Sequence, residues 1–199
     1  MQEINLDFIK DESIGAYKVI TKVLTEQDAK FYNLRAILNN RLESLVNAGT
    51  YKVLIKDGEI VMSNTQLEIT THQEAIEKAK GNILVAGLGL GMFLTAIKDK
   101  KEINRIVVVE KSKEVIQMIG KYYKDDKIEI INEDIFDFDT KANFDLIWLD
   151  IWNDFDNSNL EEMEYLKEKF SSNSKEILCW SEDILRKKKN DLSSIFSFN

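Results

Sequence analysis

The sequence predicts an α/β fold in which a small N-terminal α+β segment precedes a doubly wound, mostly parallel sheet. The first observation is a short apolar run from Ile83 to Ala86, followed by a glycine turn and a helix-like apolar pattern. The second is the return of similar apolar runs downstream, separated by helical patterns, as in βαβ units. The third is a strand, helix and hairpin pattern confined to the first third of the chain. We therefore expect an appendage over 1–65 and the parallel domain over 66–199.

The composition is that of a globular protein, with 44% apolar and 31% charged residues in a chain of 199. A chain of this length has enough residues to bury a sizeable core. The net charge of −8 disfavours binding to extended nucleic acid, which depends on basic surface. No apolar run approaches the length of a bilayer span, so we expect no membrane association.

The cysteine and histidine content restricts the compartment and the chemistry. One cysteine, Cys179, excludes an internal disulfide framework and suits a reducing compartment. The acidic N-terminus lacks the apolar core of a signal peptide, so we expect a cytoplasmic protein. One cysteine and one histidine also argue against a zinc site of soft ligands within one chain, and we predict no metal site.

The N-terminal elements begin with an alternating run from Tyr17 to Leu24, which predicts a strand. Thr25 and Asp28 form a capping-box pattern that predicts the start of a helix, which we expect to run to about Val46. Apolar residues recur along it at helical spacing, so the helix is expected to pack against something. These residues are Phe31, Leu34, Ile37, Leu38, Leu42 and Leu45.

Two further signals precede the parallel domain. Asp57-Gly58 between two short apolar runs predicts a β-hairpin. Thr71 and Glu74 form a second capping-box pattern, which predicts a helix from there to about Ala79. Gly81 is expected to end that helix.

Gly87, Gly89 and Gly91 stand at alternate positions between the apolar run and the following helix. Glycine permits backbone angles closed to other residues and lets a ligand approach the main chain. The first N–H groups of the helix then point at an anionic or polar ligand. This arrangement predicts a nucleotide-binding turn.

A second apolar run from Arg105 ends in Glu110. An acid at the end of the second strand of a nucleotide-binding unit receives the ribose hydroxyls. Dinucleotide fingerprints place a small residue where this chain has Met92, which argues against NAD and for another adenosine-containing ligand.

The remaining elements complete the predicted parallel sheet. We expect a crossover helix, a third strand, a fourth strand that ends before Asp150, another helix and a fifth strand. Their predicted ranges are Val115 to Tyr122, Lys127 to Ile131, Phe144 to Leu149, Leu160 to Phe170 and Glu176 to Trp180.

With these motifs in place, the chain from residue 82 to about 180 resembles the class I S-adenosylmethionine-dependent methyltransferases. V-A-G-L-G-L-G is similar to the glycine motif of that family, and Glu110 to its acid after the second strand. Asn132-Glu133-Asp134 and the segment from Phe144 to Asp150 resemble its third- and fourth-strand motifs. The resemblance implies a Rossmann-like fold of the class I methyltransferase type and S-adenosyl-L-methionine as the cofactor.

The resemblance also implies a role for each site residue. The backbone of Gly87, Leu88, Gly89 and Gly91 would hold the methionine part of the cofactor, and Glu110 the ribose. Asp134 would accept from the adenine amine, and the Ile135 amide would face the ring nitrogen. Lys111 and Met92 would pack on the adenine or ribose.

Within the superfamily, the chain resembles the spermidine synthase branch through its hairpin and the segment Glu68-Ile-Thr-Thr-His72-Gln-Glu74. It departs from that branch at Leu90, where the aminopropyltransferases place an aspartate, and at Val61, where they place a glutamine. Those enzymes also continue for two strands beyond the fifth. We therefore expect a C-terminally shortened fold whose site a partner chain, such as a second copy, would complete.

The chemical role falls to Asp150, because the end of the fourth strand faces the predicted pocket. This carboxylate would bind an amine acceptor or act as a base, and it also serves as a cofactor contact in this interpretation. The alternative is an aspartate that only forms a turn. Glu110 and Asp134 have the similar alternative of capping the next helix or turn.

Other polar and aromatic residues have two interpretations each. Asp154 and Asp156 either favour a cationic acceptor or form a solvated acidic loop, which is the favoured interpretation. Trp152 would line an acceptor pocket, whereas Trp148 is expected in the core. His72 is interpreted as a surface or packing residue, and the resemblance to the spermidine synthases implies a catalytic role as the less favoured alternative. Cys179 is expected to be buried and inert.

Together these features predict a methyltransferase that uses S-adenosyl-L-methionine and acts on a small-molecule or other unidentified acceptor. One alternative is an aminopropyltransferase similar to spermidine synthase, which Leu90 disfavours. Another is a non-catalytic subunit that binds cofactor without turnover.

Overall fold

The computed structural model describes residues 4–39, 45–154 and 156–187. The described residues form two compact units, each built from several chain segments. The first unit comprises Met1–Ile76, Leu88–Asp99 and Ser112–Lys124. The second comprises Glu77–Gly87, Lys100–Lys111 and Asp125–Asn199. The domain boundary expected after residue 65 stays a prediction.

The first unit contains an antiparallel sheet in the order β1-β2-β3-β4. Its strands are β1 (Glu12–Ile14), β2 (Tyr17–Leu24), β3 (Gly49–Lys56) and β4 (Glu59–Ser63). The bounds predicted for β2 are confirmed. The sequence did not indicate β1, because three residues are too few to establish a pattern and pairing with β2 decides their conformation.

The predicted hairpin is confirmed between β3 and β4. Asp57 and Gly58 both have positive φ, at 50° and 87°. This is the requirement of a type I′ turn, whose twist matches that of the paired strands.

The first helix, α1 (Glu26–Leu38), begins at the predicted capping box. The Thr25 side chain accepts from the Asp28 amide, and the Asp28 carboxylate accepts from the Thr25 amide. The predicted end near Val46 is wrong. Asn39 ends the helix because its side-chain amide donates to the Arg35 carbonyl at 2.8 Å, and residues 40–44 lie outside the described ranges.

Within the described residues, α1 does not bury its large apolar side chains, so the packing expected for that face stays a prediction. Its buried residues are Ala29 and Ala36. The large apolar side chains are exposed: Phe31 by 60%, Leu34 by 55%, Ile37 by 55%, Leu38 by 75% and, beyond the helix, Leu45 by 40%. Leu42 lies outside the described residues.

The second helix, α2 (Gln66–Lys78), begins earlier than predicted. Thr71 is inside the helix, where its hydroxyl donates to the Glu68 carbonyl at 2.9 Å instead of capping a terminus. The predicted start was wrong because a threonine three residues before a glutamate is equally compatible with a helix interior. The two other helices of this unit are α3 (Met92–Ile97) and α4 (Lys113–Ile119), and a 3₁₀ turn over Gly120–Tyr122 follows α4.

The second unit contains a parallel sheet of five strands in the order β7-β6-β5-β8-β9. The strands are β5 (Gly81–Ala86), β6 (Ile103–Glu110), β7 (Ile128–Asn132), β8 (Leu146–Leu149) and β9 (Ile177–Cys179), and α5 (Asn159–Lys169) joins β8 to β9. Numbered within this sheet, the spatial order is 3-2-1-4-5, the order of a Rossmann-like doubly wound sheet. The predicted α/β fold with an additional N-terminal sheet is therefore confirmed.

The central strands supply the core of the second unit. All four residues of β8, Leu146, Ile147, Trp148 and Leu149, are buried, as is typical of a central parallel strand. The expected core position of Trp148 is confirmed, with 2% of its surface exposed.

Within the described ranges, no helix is long and apolar enough to cross a membrane. The same residues contain no group of three or more histidine, cysteine or acidic side chains placed to hold a metal ion.

A substitution at Gly81, the first residue of β5, tests the contact between β5 and the start of β8. Its φ is +67°, and a Cβ there would lie 2.0 Å from Oδ2 of Asp145. That oxygen accepts from the Asn82 amide at 2.7 Å, so an added methyl group displaces the carboxylate that joins β5 to the start of β8. We expect Gly81→Ala to lower the free energy of unfolding by about 2 kcal/mol or more, measured by urea denaturation.

Gly58→Ala is the matched control for this substitution. Gly58 also has a positive φ, at +87°, but an added Cβ meets nothing within 4 Å. The Gly58→Ala variant therefore has the backbone strain but no steric clash. We expect its free energy of unfolding to fall by only about 1 kcal/mol. Equal losses in the two variants would contradict the role assigned to Asp145.

Candidate functional site

The candidate site in the second unit lies where β5 and β8 end side by side. Strand order reverses between these two strands, and ligands of open α/β sheets bind outside the carboxyl ends of strands at such a point. Gly87 follows β5 and donates to the Val109 carbonyl at 2.9 Å. Asp150 follows β8 and donates through its amide to the Ala86 carbonyl at 2.9 Å. Gly87 and Asp150, both predicted as site residues, are therefore adjacent.

Gly87 is required at this point for two reasons. Its φ is +92°, and a Cβ would lie 2.1 Å from the carbonyl oxygen of Asp150. Any other residue would push the ends of β5 and β8 apart. The predicted need for glycine is confirmed here, and its cause is the approach of the protein's own backbone.

Glu110 ends β6, the neighbour of β5 on the other side, and its surface is 8% exposed. The Asn132 side chain donates to the carbonyl oxygens of Glu110 at 2.9 Å and Lys111 at 3.0 Å. The Glu133 amide adds a third bond to the Glu110 carbonyl at 3.2 Å. The ends of β6 and β7 are therefore joined, and the backbone that carries Glu110 and Lys111 is held in place.

Asp134 lies in a turn directly after β7. One of its carboxylate oxygens accepts from the Phe136 amide at 3.1 Å, and its carbonyl accepts from the amides of Asp137 and Phe138. The turn-forming role that the sequence left open for Asp134 is present. Because a carboxylate has two acceptor oxygens, this bond leaves acceptor capacity for a ligand.

The Ile135 side chain is buried, with 3% of its surface exposed. The Lys169 ammonium donates to the carbonyl oxygens of Ile135 at 3.3 Å and Phe136 at 2.6 Å. These bonds fix the orientation of the Ile135 peptide, the group predicted to face an adenine ring nitrogen.

The remainder of the glycine loop belongs to the first unit, and its glycines are also enclosed by protein atoms. Gly89 and Gly91 have φ values of +51° and +69°. A Cβ on Gly89 would lie 2.5 Å from the sulfur of Met62, and one on Gly91 would lie 2.3 Å from the Tyr123 hydroxyl oxygen. Protein side chains therefore lie where a side chain at these positions would stand, and the approach of a ligand to the main chain here stays a prediction.

Met62 and Tyr123 are the two residues of this region that the sequence did not single out. The Leu90 amide donates to the Met62 sulfur at 3.3 Å. The Tyr123 hydroxyl donates to the Gly91 carbonyl at 2.8 Å and accepts from the Thr95 hydroxyl at 2.7 Å. Neither residue belongs to a recognisable motif, because Met62 lies within an ordinary hairpin strand and Tyr123 only follows a helix.

Tyr123 stays a neutral hydrogen-bond donor over the ordinary pH range. Burial raises the pKa of its hydroxyl to about 12, although the bond from Thr95 acts in the opposite direction. The hydroxyl therefore keeps the proton that it donates to the Gly91 carbonyl in that range.

The side chains of Leu88 and Met92 are buried, with 4% and 0% of their surfaces exposed. The predicted packing of the Met92 side chain on the adenine or ribose stays a prediction, as does backbone contact with a ligand at Leu88.

The described acids of the loop after Asp150 form local hydrogen bonds. One Asp154 carboxylate oxygen lies 3.2 Å from the Asp156 amide and 3.1 Å from the Asn159 side-chain amide. The Asp156 carboxylate accepts from both the amide and the hydroxyl of Ser158, and these bonds lower its pKa. The favoured interpretation of these two acids as loop residues agrees with this geometry.

Trp152 is buried, and its indole nitrogen donates to Glu162 at 2.8 Å. This bond joins the loop to α5. The structure therefore gives Trp152 a packing role, whereas the sequence suggested that it lines a pocket.

His72 and Cys179 also have packing roles. His72 is fully buried in α2, and its Nδ1 lies 2.7 Å from the Glu68 carbonyl oxygen. Its expected position near the start of a helix is wrong. Burial, more than any neighbouring charge, raises the pKa of the Cys179 thiol to about 12, so this thiol stays protonated and unreactive, as expected.

The comparison with curated proteins gives one similar sequence. It is a polyamine aminopropyltransferase of Hydrogenobaculum sp. (strain Y04AAS1), 26% identical over 145 residues. The match covers 66% of this chain and 49% of that protein, so the chain spans about half the length of the relative. This relative belongs to the branch that the hairpin and the Glu68 to Glu74 segment indicated. No protein-family model matches the chain.

Solved structures similar to this chain include several methyltransferase structures. The DhpI-SAM-HEP complex is 17% identical with a TM-score of 0.44, covering 60% of this chain and 58% of that one. An S-adenosylmethionine-dependent methyltransferase from Clostridium acetobutylicum is 17% identical with a TM-score of 0.39, covering 56% and 46%. The plantazolicin methyltransferase BpumL, in complex with a monoazolic desmethylPZN analog and SAH, is 21% identical with a TM-score of 0.37, covering 52% and 38%.

A substitution at Tyr123 tests its part in holding the glycine loop. Tyr123→Phe keeps the ring but removes the hydroxyl. The Gly91 carbonyl then keeps only its bond from the Thr95 amide, and the Thr95 hydroxyl loses its bond to Tyr123. We expect the free energy of unfolding to fall by about 1–2 kcal/mol in urea denaturation, the net contribution of the lost hydrogen bonds.

Tyr122→Phe is the control, because the neighbouring hydroxyl also has one backbone partner. It accepts from the Lys10 amide at 3.0 Å, at an exposed position where water can replace it. We expect a loss of less than about 1 kcal/mol. A smaller effect at Tyr123 than at Tyr122 would contradict the assigned role.

Proposed function

We propose that this chain binds S-adenosyl-L-methionine at the carboxyl ends of β5, β6 and β7 and transfers its methyl group to an acceptor. The observation that carries the proposal is the reversal of strand order between β5 and β8. Gly87 and Asp150 lie at that point, and Glu110 ends the neighbouring strand β6. This is the arrangement in which open α/β sheets bind nucleotides.

The residues of the second unit suit the adenosine part of the cofactor. The Glu110 carboxylate offers two acceptor oxygens for two neighbouring ribose hydroxyls. Asp134 retains acceptor capacity for the adenine amine, and the Ile135 amide supplies a donor to the ring. Lys111 is exposed next to Glu110, where its aliphatic part can cover the adenine or the ribose.

The methionine part is assigned to the backbone from Gly87 to Gly91. Tyr123 and Met62 hold the latter part of this loop by hydrogen bonds to Gly91 and Leu90. A loop that is held before the ligand arrives loses little conformational entropy on binding. The buried side chains of Leu88 and Met92 leave the main chain as the contact surface at these positions.

Methyl transfer depends more on aligning the acceptor with the methyl group of the cofactor than on catalytic side chains. The acceptor's lone pair forms a bond to the methyl carbon while the carbon–sulfur bond breaks, and its electrons remain on sulfur. Holding the two reactants in line supplies up to about 7–11 kcal/mol. Asp150 would orient an amine acceptor or accept the proton that the acceptor loses.

Aminopropyl transfer is the second candidate, because the curated relative is a polyamine aminopropyltransferase. That reaction uses decarboxylated S-adenosylmethionine. The aminopropyltransferases of the spermidine synthase branch hold their amine substrate through an aspartate in the glycine loop. Leu90 occupies the corresponding position, is fully buried and carries no charge. This difference favours methyl transfer.

The acceptor assigned to this site is a small molecule or another unidentified nucleophile. A cytoplasmic location is part of the same proposal, because a single cysteine suits a reducing compartment.

Calorimetric titration tests the cofactor directly. We expect S-adenosylmethionine and its demethylated product to bind more tightly than the decarboxylated form. Preference for the decarboxylated form would support aminopropyl transfer instead. Absence of binding by all three would contradict the proposal, and binding without turnover against any acceptor would identify a non-catalytic subunit.

Glu110→Gln tests the ribose assignment. The amide keeps the shape of the side chain but removes its charge and one acceptor, so hydrogen bonds to the ribose weaken. We expect the dissociation constant for S-adenosylmethionine to rise about 10- to 100-fold, as measured by calorimetry.

Glu133→Gln is the matched control, since it removes the same charge from an exposed acid at the same edge of the sheet. We expect its dissociation constant to stay within about twofold of the unsubstituted protein. Equal weakening by both variants would show a general effect of charge, and unchanged binding by Glu110→Gln would refute the ribose assignment.

A further inference from the structure

The helix α1 has the reverse of the usual amphipathic arrangement. A surface helix normally turns its large apolar residues towards its own protein and its polar residues outwards. Here the inward face carries Ala29 and Ala36, with Asn33 between them. The Asn33 side chain fastens that face by donating to the Val46 carbonyl at 2.9 Å and accepting from the Val46 amide at 2.8 Å.

The outward face carries an apolar stripe formed by Phe31, Leu34 and Leu38. Their spacing of three and four residues places them in one line on the side of the helix opposite Ala29 and Ala36. Each is more than half exposed, at 60%, 55% and 75%. A contiguous apolar surface of this kind is typical of an interaction site.

The charges beside the stripe indicate what covers it. Asp28 and Arg35 are seven residues apart, so they lie on the same flank of α1, about 10 Å from each other along the axis. Asp28 is in the first turn and Arg35 in the last. The Arg35 guanidinium lies 6.0 Å from the centre of the Phe31 ring, so this flank borders the stripe.

Two copies of α1 that pack antiparallel about a twofold axis bring equal flanks together. In such a pair, Asp28 of one copy faces Arg35 of the other, and the same contact occurs a second time by symmetry. In a parallel pair the twofold axis runs along the helices, so the flank of Asp28 and Arg35 would face the opposite flank of the other copy, and the Asp28–Arg35 contacts would not form. The helix dipoles also favour the antiparallel arrangement, because each acidic N-terminal turn meets a basic C-terminal turn.

We propose that the stripe of Phe31, Leu34 and Leu38 is the interface of a homodimer in which two α1 helices pack antiparallel. The apolar side chains form the centre of the interface, and the two Asp28–Arg35 pairs lie at its rim and set the orientation. The interface needs no cofactor, so its test is independent of the proposed methyl transfer.

Sedimentation velocity of the full chain, without cofactor and at fixed salt concentration, tests the dimer over about 1–100 µM protein. We expect the mass to rise with concentration from 23.1 kDa towards twice that value. A monomer at every concentration would overturn the proposal.

Leu34→Lys places a charge at the centre of the stripe while keeping good helix propensity. We expect it to raise the dimer dissociation constant at least about 30-fold, as for a central interface residue. Ile60→Lys is the matched control, because Ile60 is 58% exposed on β4, outside α1. Equal weakening by the two variants would overturn the proposal, and circular dichroism confirms that both remain folded.

Arg35→Glu and Lys30→Glu separate the antiparallel arrangement from other pairings. Both reverse one positive charge on an exposed side of α1, but Lys30 lies on the flank away from Asp28. We expect Arg35→Glu to weaken the dimer about tenfold and Lys30→Glu to leave it within about twofold. The opposite order would overturn the antiparallel arrangement.

Discussion

The approach of the Gly87 backbone to the Asp150 carbonyl is the constraint on which the candidate site depends. It requires a residue without a side chain at the end of β5 and brings the end of β8 beside it. Because strand order reverses between these two strands, the chain leaves them in different directions, and their carboxyl ends border an open edge of the sheet. Glu110 and Asp134 then occupy the ends of the next strands in that sheet. The site is thus a consequence of strand order.

The glycine loop shows that one residue type can satisfy two requirements. Its glycines have positive φ, which the turn demands, and their missing side chains leave room for Met62 and Tyr123. The sequence shows only that glycines recur. It does not show whether a bound ligand or the protein's own side chains require glycine at these positions. The neutral Tyr123 hydroxyl and the Met62 sulfur both hold loop backbone, which gives the loop a defined conformation before any ligand is present.

Helix α1 illustrates the limit of hydrophobic periodicity in another way. The recurrence of Phe31, Leu34 and Leu38 correctly indicates a helix with one apolar face. Periodicity does not say whether that face turns towards its own chain, since the same pattern stabilises a core or an interface. Ala29 and Ala36, whose small side chains carry little weight in such a pattern, face inwards instead.

The sequence by itself determined the elements whose signals are local. The hairpin follows from Asp57 and Gly58, the start of α1 from Thr25 and Asp28, and the five parallel strands from their apolar runs. The acids that follow the apolar runs, Glu110, Asp134 and Asp150, were also identifiable from the sequence as candidates.

The tertiary structure alone decided the features that depend on distant contacts. The burial of His72, the exposure of the α1 stripe and the contacts of Tyr123 with Gly91 join residues far apart in the chain or depend on which face meets the protein. α2 begins earlier and α1 ends earlier than predicted. In both helices a side chain bonds to the backbone, Thr71 to the Glu68 carbonyl and Asn39 to the Arg35 carbonyl, and the sequence pattern did not indicate these bonds. Local propensity predicts an element, but its bounds, orientation and neighbours are determined by the free energy of the packed whole.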